Sequence, residues 1–319
     1  MDKTIDFSKT IHFVKPNVDF DLNDFELLNS LKYDSFYETI AKFYSIKKNE
    51  IELFNSQSSA IFSLLRYLHL EKCYLYSPIY QEYKRAAIAF GYDITFINRF
   101  ENIEEEIQED SLVIFANPSY PDGKYYDIAN YFAKWTKTNA TIIIDESFLD
   151  FTNEKSAIDY LKCYPKLYII KSFAHFYGIS HLKISAILSN KVSVQKLKQK
   201  EPLDKISLVD IHYICEALKD KNFKKIGKAL ASKNNILLEQ LLQKSNFFEK
   251  IYPSSTNLIL AKLSKLKAIQ LQELFIKHKI FIQNYAHFDS LDESYLGFCV
   301  QNTKDLELLE KILKELPKY

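Results

Sequence analysis

The chain has 319 residues, 47% of them hydrophobic and 26% charged, with a formal net charge of +1. That length buries a large core and divides more comfortably into two lobes than one. The near-neutral balance argues against nucleic acid and membrane partners that depend on bulk charge. No run of eighteen apolar residues is present to span a bilayer, and MDKTIDFSKT lacks the apolar stretch of a signal peptide. Cys73, Cys163, Cys215 and Cys299 show no metal-ligand spacing, so they read as reduced, mostly buried thiols of a cytoplasmic protein. Five glycines are few for a fold that cradles a phosphate in glycine-rich turns.

From about Leu53 the sequence alternates between strand-like and helical stretches. CYLYSP, DITFIN, LVIFANP, TIIIDESF and LYIIKSF are short β-branched or aromatic runs closed by Asn, Asp, Pro or Ser. EYKRAAIAFG and YDIANYFAKWTKTN between them carry helical apolar spacing. Strands alternating with helices predict a parallel sheet covered on both faces, with its site beyond the carboxyl ends of the strands. That rule points to Asn117, Asp145 and the segment from Ser172 to His175. From about Leu208 the pattern becomes α+β. It runs through the long amphipathic KKIGKALASKNNILLEQLLQK, the strand YPSSTNLILAKL, the helix KLKAIQLQELFIKHK, the strand SYLGFCVQ and the helix KDLELLEKILKEL.

Four segments stand in order at informative distances: YSPIYQEYKRAA (76–87), NPSYPDG (117–123), IIIDESFLDF, in which Asp145 ends an apolar strand, and KSFAHFYGISHLKIS (171–185). Together they resemble the class I/II aminotransferases, and among these the histidinol-phosphate aminotransferases and threonine-phosphate decarboxylases. NSQSSAIFSLLRYL is similar to that family's phosphate-binding turn and following helix, and the likeness covers most of the chain. It implies a fold type I transferase dependent on pyridoxal phosphate. Residues 41–205 would form a large α/β lobe with a mostly parallel seven-stranded sheet. Residues 206–319 would form a smaller α+β lobe, and residues 1–40 an arm that joins the small lobe in part.

The resemblance also implies roles. Asp145 matches the carboxylate that holds a proton on the pyridine nitrogen; an acid ending a strand can equally be a turn or cap. Asn117 matches the side chain that bonds the ring hydroxyl, although Asn-Pro is also a turn former. Tyr80 matches the ring stacked on the cofactor, or else packs in the core. Ser56, Gln57 and Ser172 match the phosphate cradle, where helix-start N–H groups favour an anion; plain helix capping is the other reading. Tyr33 matches, one residue out of register, the tyrosine that reaches a neighbouring subunit's phosphate. The aromatic segment Phe20, Phe25, Tyr33, Phe36 and Tyr37 has the composition of a buried interface, so a homodimer is expected.

The departures fall on the catalytic groups. His175 stands where the family keeps its Schiff-base lysine, and imidazole forms no such bond, though it acts as a base near neutral pH. Lys171 is the wrong lysine for that role, being twelve residues before Lys183 and on the sheet side of the turn. Lys183 replaces the phosphate-gripping arginine, keeping the charge and losing the fork. Phe148 replaces a tyrosine, GISHLKIS has lost glycines, and Gly297 and Gln283 replace two arginines for substrate carboxylate and phosphate. Three readings stay open. The first is an enzyme holding pyridoxal or pyridoxamine phosphate non-covalently, with His175 as base, and acting on a small molecule of the amino acid or keto acid class. The second is a degenerate relative serving as a binding or regulatory partner. In the third, His175 is a replaced lysine in a competent enzyme.

Overall fold

The computed structural model describes residues 4–18, 33–178 and 182–316. Phe20, Phe25 and the centre of the GISHLKIS stretch lie outside them.

A seven-stranded sheet carries the first part of the chain. Its strands are β2 (Ile51–Phe54), β3 (Lys72–Ser77), β4 (Asp93–Asn98), β5 (Leu112–Ala116), β6 (Thr141–Asp145), β7 (Leu167–Ser172) and β8 (Ser185–Leu188), in the order β2-β8-β7-β6-β5-β3-β4. β8 is antiparallel to both neighbours, and the other pairings are parallel. The mostly parallel sheet expected from the sequence is present. The patterning had not picked out β2 and β8. Each is four residues long, and β2 carries Glu52, buried here by ion pairs with Lys198 and Lys205.

The two-residue period divides the strands between two cores. Val113, Phe115, Ile142, Ile144 and Ile169 face one layer with Phe36 and Ile40 of α1 (Tyr33–Tyr44). Ile114, Ile143 and Ile170 face the other, formed by α2 (Gln57–Leu68) and α3 (Gln81–Ala89). β-branched residues suit strands buried on both faces. Phe36 is wholly inside the chain's own core, so it is no interface residue. Beyond the sheet follow α4 (Ala129–Lys137), α5 (Lys191–Lys198) and α6 (Leu208–Lys219), and Ile211 and Ile214 of α6 pack into the first core.

A four-stranded antiparallel sheet, β12-β13-β10-β9, occupies the C-terminal part, with β9 Phe248–Ile251, β10 Leu258–Leu263, β12 Gln283–Asn284 and β13 Tyr295–Cys299. It packs on α7 (Lys221–Gln243), α8 (Ala268–Ile276) and α9 (Thr303–Glu315). The N-terminal arm joins this part through β1 (Ile5–Asp6), which pairs in parallel with β11 (Ile280–Phe281). No described helix is long and apolar enough to cross a membrane.

His12 fastens the arm to α7. Its Nε2 lies 3.0 Å from the Gly227 carbonyl, which can only accept, so Nε2 carries the hydrogen and Nδ1 accepts from the Val14 N–H at 3.0 Å. The approach explains a glycine inside a helix: a Cβ at 227 would stand 3.1 Å from His12 Nε2 and 3.3 Å from the Phe176 ring. Burial pulls His12 down to about 4 from an ordinary value of 6.5. Between those two pH values the unfolded chain binds a proton at His12 and the folded chain does not, so the contribution of His12 is complete above 6.5 and declines toward 4. Urea denaturation at pH 7, 5.5 and 4.5 should therefore show the wild type losing stability relative to a His12→Phe variant. Parallel losses in the two proteins would remove His12 as the acid-sensitive fastener.

Candidate functional site

Helix starts and strand ends gather at the carboxyl edge of the large sheet. Ser56 caps α2, its hydroxyl accepting from the Ser59 N–H at 3.0 Å, which leaves the Gln57 and Ser58 N–H groups without intrahelical acceptors. β8 lies between β2 and β7, so Ser185 pairs with both Phe54 and Ser172 and donates to the Ser56 carbonyl at 2.8 Å. Ser56, Ser172 and the exposed Lys183 thus share one side of a cavity of about 470 Å3. Asp145, one strand further in, forms part of its wall, followed by Ala116, Pro118 and Tyr80. A cavity of that size lies within the range of ~300–1,000 Å3 of ligand pockets.

Asp145 is 4% exposed, and burial pushes its carboxyl up against the pull of four donors. Oδ1 accepts from the Ser147 N–H at 2.9 Å and the Ser147 hydroxyl at 2.5 Å. Oδ2 accepts from Gln57 Nε2 at 2.7 Å and the Tyr83 hydroxyl at 2.7 Å. A carboxylate offers about four acceptor positions, so its capacity is filled by the chain itself.

His175 lies on the cavity wall, stacked on Phe148 with ring centroids 4.3 Å apart. Its Nδ1 is 3.1 Å from the Thr10 hydroxyl, and its carbonyl accepts from the His12 N–H at 2.8 Å. The arm therefore holds residue 175 by both side chain and backbone. Burial pulls this imidazole down to about 4, against a smaller opposing effect of the Thr10 carbonyl. Lys171 is elsewhere. It continues the Leu167–Ile169 face of β7, pairs with Glu146, stands 3.3 Å from the Ser156 hydroxyl and lies over the Tyr44 ring. Asp145 continues the opposite face, that of Ile143. A lysine committed to the far side of the sheet does not reach the cavity.

Two expected residues, Asn117 and Tyr33, lie off the cavity wall. Asn117 engages the Tyr126 backbone twice, accepting its N–H at 2.9 Å and donating to its carbonyl at 3.0 Å, and its neighbours Ala116 and Pro118 line the cavity instead. Tyr33 donates to the Ile206 carbonyl of its own chain and does not line the cavity. Gln57 turns its side chain to Asp145, so only its backbone N–H remains for an anion. Tyr80 does line the cavity, its hydroxyl 3.3 Å from Ser58 Oγ and its ring edge-on to Tyr120.

Sequence reasoning missed Thr10, Tyr83, Tyr120 and Ser147, which no local motif marks. It also passed over a countable signal: the chain has three arginines. Arg66 and Arg85 pair with Glu201 and Glu82, and buried Arg99 donates to the Tyr76 and Ala116 carbonyls. None lines the cavity.

A class I and II aminotransferase model matches residues 19–316, nearly the whole chain. The chain belongs to the aminotransferase class I and II family. It is 25% identical over 302 residues to the histidinol-phosphate aminotransferase of Francisella philomiragia, an alignment covering 87% of this chain and 81% of that one. The crystal structure of the histidinol-phosphate aminotransferase from Clostridium acetobutylicum superposes with a TM-score of 0.83 at 24% identity, covering 98% of each chain. The L-threonine-O-3-phosphate decarboxylase from Porphyromonas gingivalis gives 0.83 at 21%, again over 98% of each. At such identities the structural likeness speaks for the fold. Members of this family work with pyridoxal phosphate.

The glycine at position 297 has a physical setting. A Cβ at Gly297, on β13, would meet Tyr285 Cε2 at 2.2 Å, because that buried ring covers the position. Tyr285 in turn lies edge-on to Tyr120 and Phe288. Gly297→Ala should therefore destabilise the protein by about 1–3 kcal/mol, as overpacking does, and Tyr285→Leu in the same chain should recover part of the loss. Urea midpoints measure both, and an unchanged midpoint in the single variant would mean that the ring moves aside freely.

Proposed function

We propose that this aminotransferase-like chain holds pyridoxal or pyridoxamine phosphate without a covalent link, with His175 as the base where relatives use lysine. The observation that carries the reading is the contrast between His175 on the cavity wall and Lys171 paired with Glu146 on the other face of the sheet. The donor set suits the group. Open N–H groups at the start of α2, the hydroxyls of Ser56 and Ser172 and the Lys183 ammonium offer an anion site, and a buried carboxylate lies one strand away. When bound, pyridoxal phosphate supplies an electron sink that works best with its ring nitrogen protonated.

Asp145 would hold that proton, and Tyr80 would cover the ring. Lys183 would bind the phosphate as a point charge without the geometric grip of an arginine. Thr10 orients His175. Its hydroxyl lies 3.1 Å from Nδ1, where it can donate to the ring or accept from it, and so holds the imidazole in place on the cavity wall. Pulled down to about 4, His175 is neutral at pH 7, so its base form is fully present and the acid limb of a His175-dependent reaction lies near pH 4 rather than 6.5. A substrate of the amino acid or keto acid class and a homodimeric state belong to the same reading. Sedimentation of the 37.5 kDa chain as a monomer at micromolar concentration would remove a shared pocket.

A second reading, a relative that has kept the fold and lost the cofactor, is favoured by the filled acceptor positions of Asp145. Absorbance spectra with added pyridoxal phosphate, followed by borohydride and peptide mapping, separate the two. The first reading expects binding with no fixed adduct in the wild type, and a new visible band with an adduct at residue 175 in His175→Lys. Adduct at Lys171 in the unaltered protein would overturn it. A His175→Lys protein that stays colourless would favour the second reading.

A further inference from the structure

We infer that the Gln57 side chain is a latch over the ring-nitrogen position of the cavity: its amide takes the place on Asp145 that a bound pyridinium N–H would take, and a ligand must displace it. This rests on the proposed cofactor reading and adds a residue that governs how tightly the cofactor is held.

The argument is one of occupancy. Each Asp145 oxygen already accepts two hydrogen bonds, which leaves no free acceptor position for a fifth donor. The four donors are not equivalent. Tyr83 is fully buried in the core between α3 and the sheet, and Ser147 belongs to the chain immediately after β6; neither lines the cavity. Gln57 does line it, together with Asp145. A ligand entering from the cavity therefore meets the Gln57 amide first, and of the four donors that amide is the one it can replace.

Gln57 is also the first residue of α2, so its backbone N–H belongs to the anion-binding turn while its side chain covers the carboxylate. One residue thereby touches both ends of a ligand that carries a phosphate and a protonated ring nitrogen. The exchange favours such a ligand, because a charged N–H donor bonds a carboxylate about twice as strongly as a neutral amide does. A flat phosphate ester without the cationic donor gains nothing that offsets opening the latch.

The latch lowers apparent affinity by the fraction of time it stands open. If it is open about a tenth of the time, Gln57→Ala should bind pyridoxal phosphate roughly tenfold more tightly than the wild type. Alanine is well tolerated at a helix start and leaves the backbone N–H in place. Tyr83→Phe is the companion variant, since it removes a donor from the same Asp145 oxygen but none from the cavity. Equilibrium titration of the full-length proteins, followed by quenching of intrinsic fluorescence, reads the affinities without any turnover. Tighter binding in Gln57→Ala with no tightening in Tyr83→Phe supports the latch, and a merely structural role could not produce that gain. Equal or weaker binding in Gln57→Ala, beside a wild type that binds, overturns the latch and leaves the cofactor reading standing. Equal tightening in both variants also overturns it, because acceptor capacity would then matter and not the side chain in the cavity. Binding in neither the wild type nor Gln57→Ala at millimolar cofactor overturns the latch and the cofactor reading together.

Discussion

Asp145 is a buried carboxylate, and most of the site follows from how its burial is tolerated. An ionised carboxyl withdrawn from water is heavily penalised unless donors surround it. Here Ser147 supplies two from the adjoining chain, Tyr83 one from α3, and Gln57 one from α2. Those bonds tie the end of β6 to the two helices that cover one face of the sheet. They set the orientation of α2, whose first turn presents open N–H groups, and of α3, which begins directly after Tyr80. The carboxylate is thus a structural tie before it is a ligand for anything.

The other face of the same edge has its own buried charges. Glu146 follows Asp145 directly and points the opposite way, where Lys171, Ser156 and the Ala157 N–H meet it. Removing either partner of such a pair would leave an uncompensated buried charge, typically a loss of several kcal/mol. Lys171 is therefore held by a strong constraint, and the alternation of β7 assigns it to the side away from the cavity. The cavity instead presents a neutral imidazole, steadied by the arm through Thr10 and His12.

The far part of the cavity is aromatic rather than cationic. Tyr120 stacks on Phe148 at 5.7 Å and lies edge-on to Tyr285, which fills the space beside Gly297. The three arginines of the chain are all engaged elsewhere. Lys183 is the charged side chain left at the anion side among the described lining residues. Recognition of an anion here leans on helix-start N–H groups and one flexible ammonium, a softer grip than a guanidinium fork.

Much of this was legible in the sequence. Apolar runs closed by Asp, Asn or Ser marked β3 to β7 and their carboxyl ends, because a strand buried on both faces must be written in β-branched and aromatic residues. The spacing from Asp145 to His175 and Lys183 carried the family resemblance. The four-residue strands β2 and β8 were not legible, since runs that short carry no period of their own and exist through pairing with β7 and each other. Nor could the sequence say where side chains point once partners compete for them. Asn117 turned to the Tyr126 backbone, Tyr33 to the Ile206 carbonyl and Gln57 to the Asp145 carboxylate, partners that no local pattern announces. Local residue types determined the elements and the order of the site. Only the tertiary structure decided which of its polar groups remain open to a ligand, because hydrogen-bond satisfaction is settled among residues far apart in the chain.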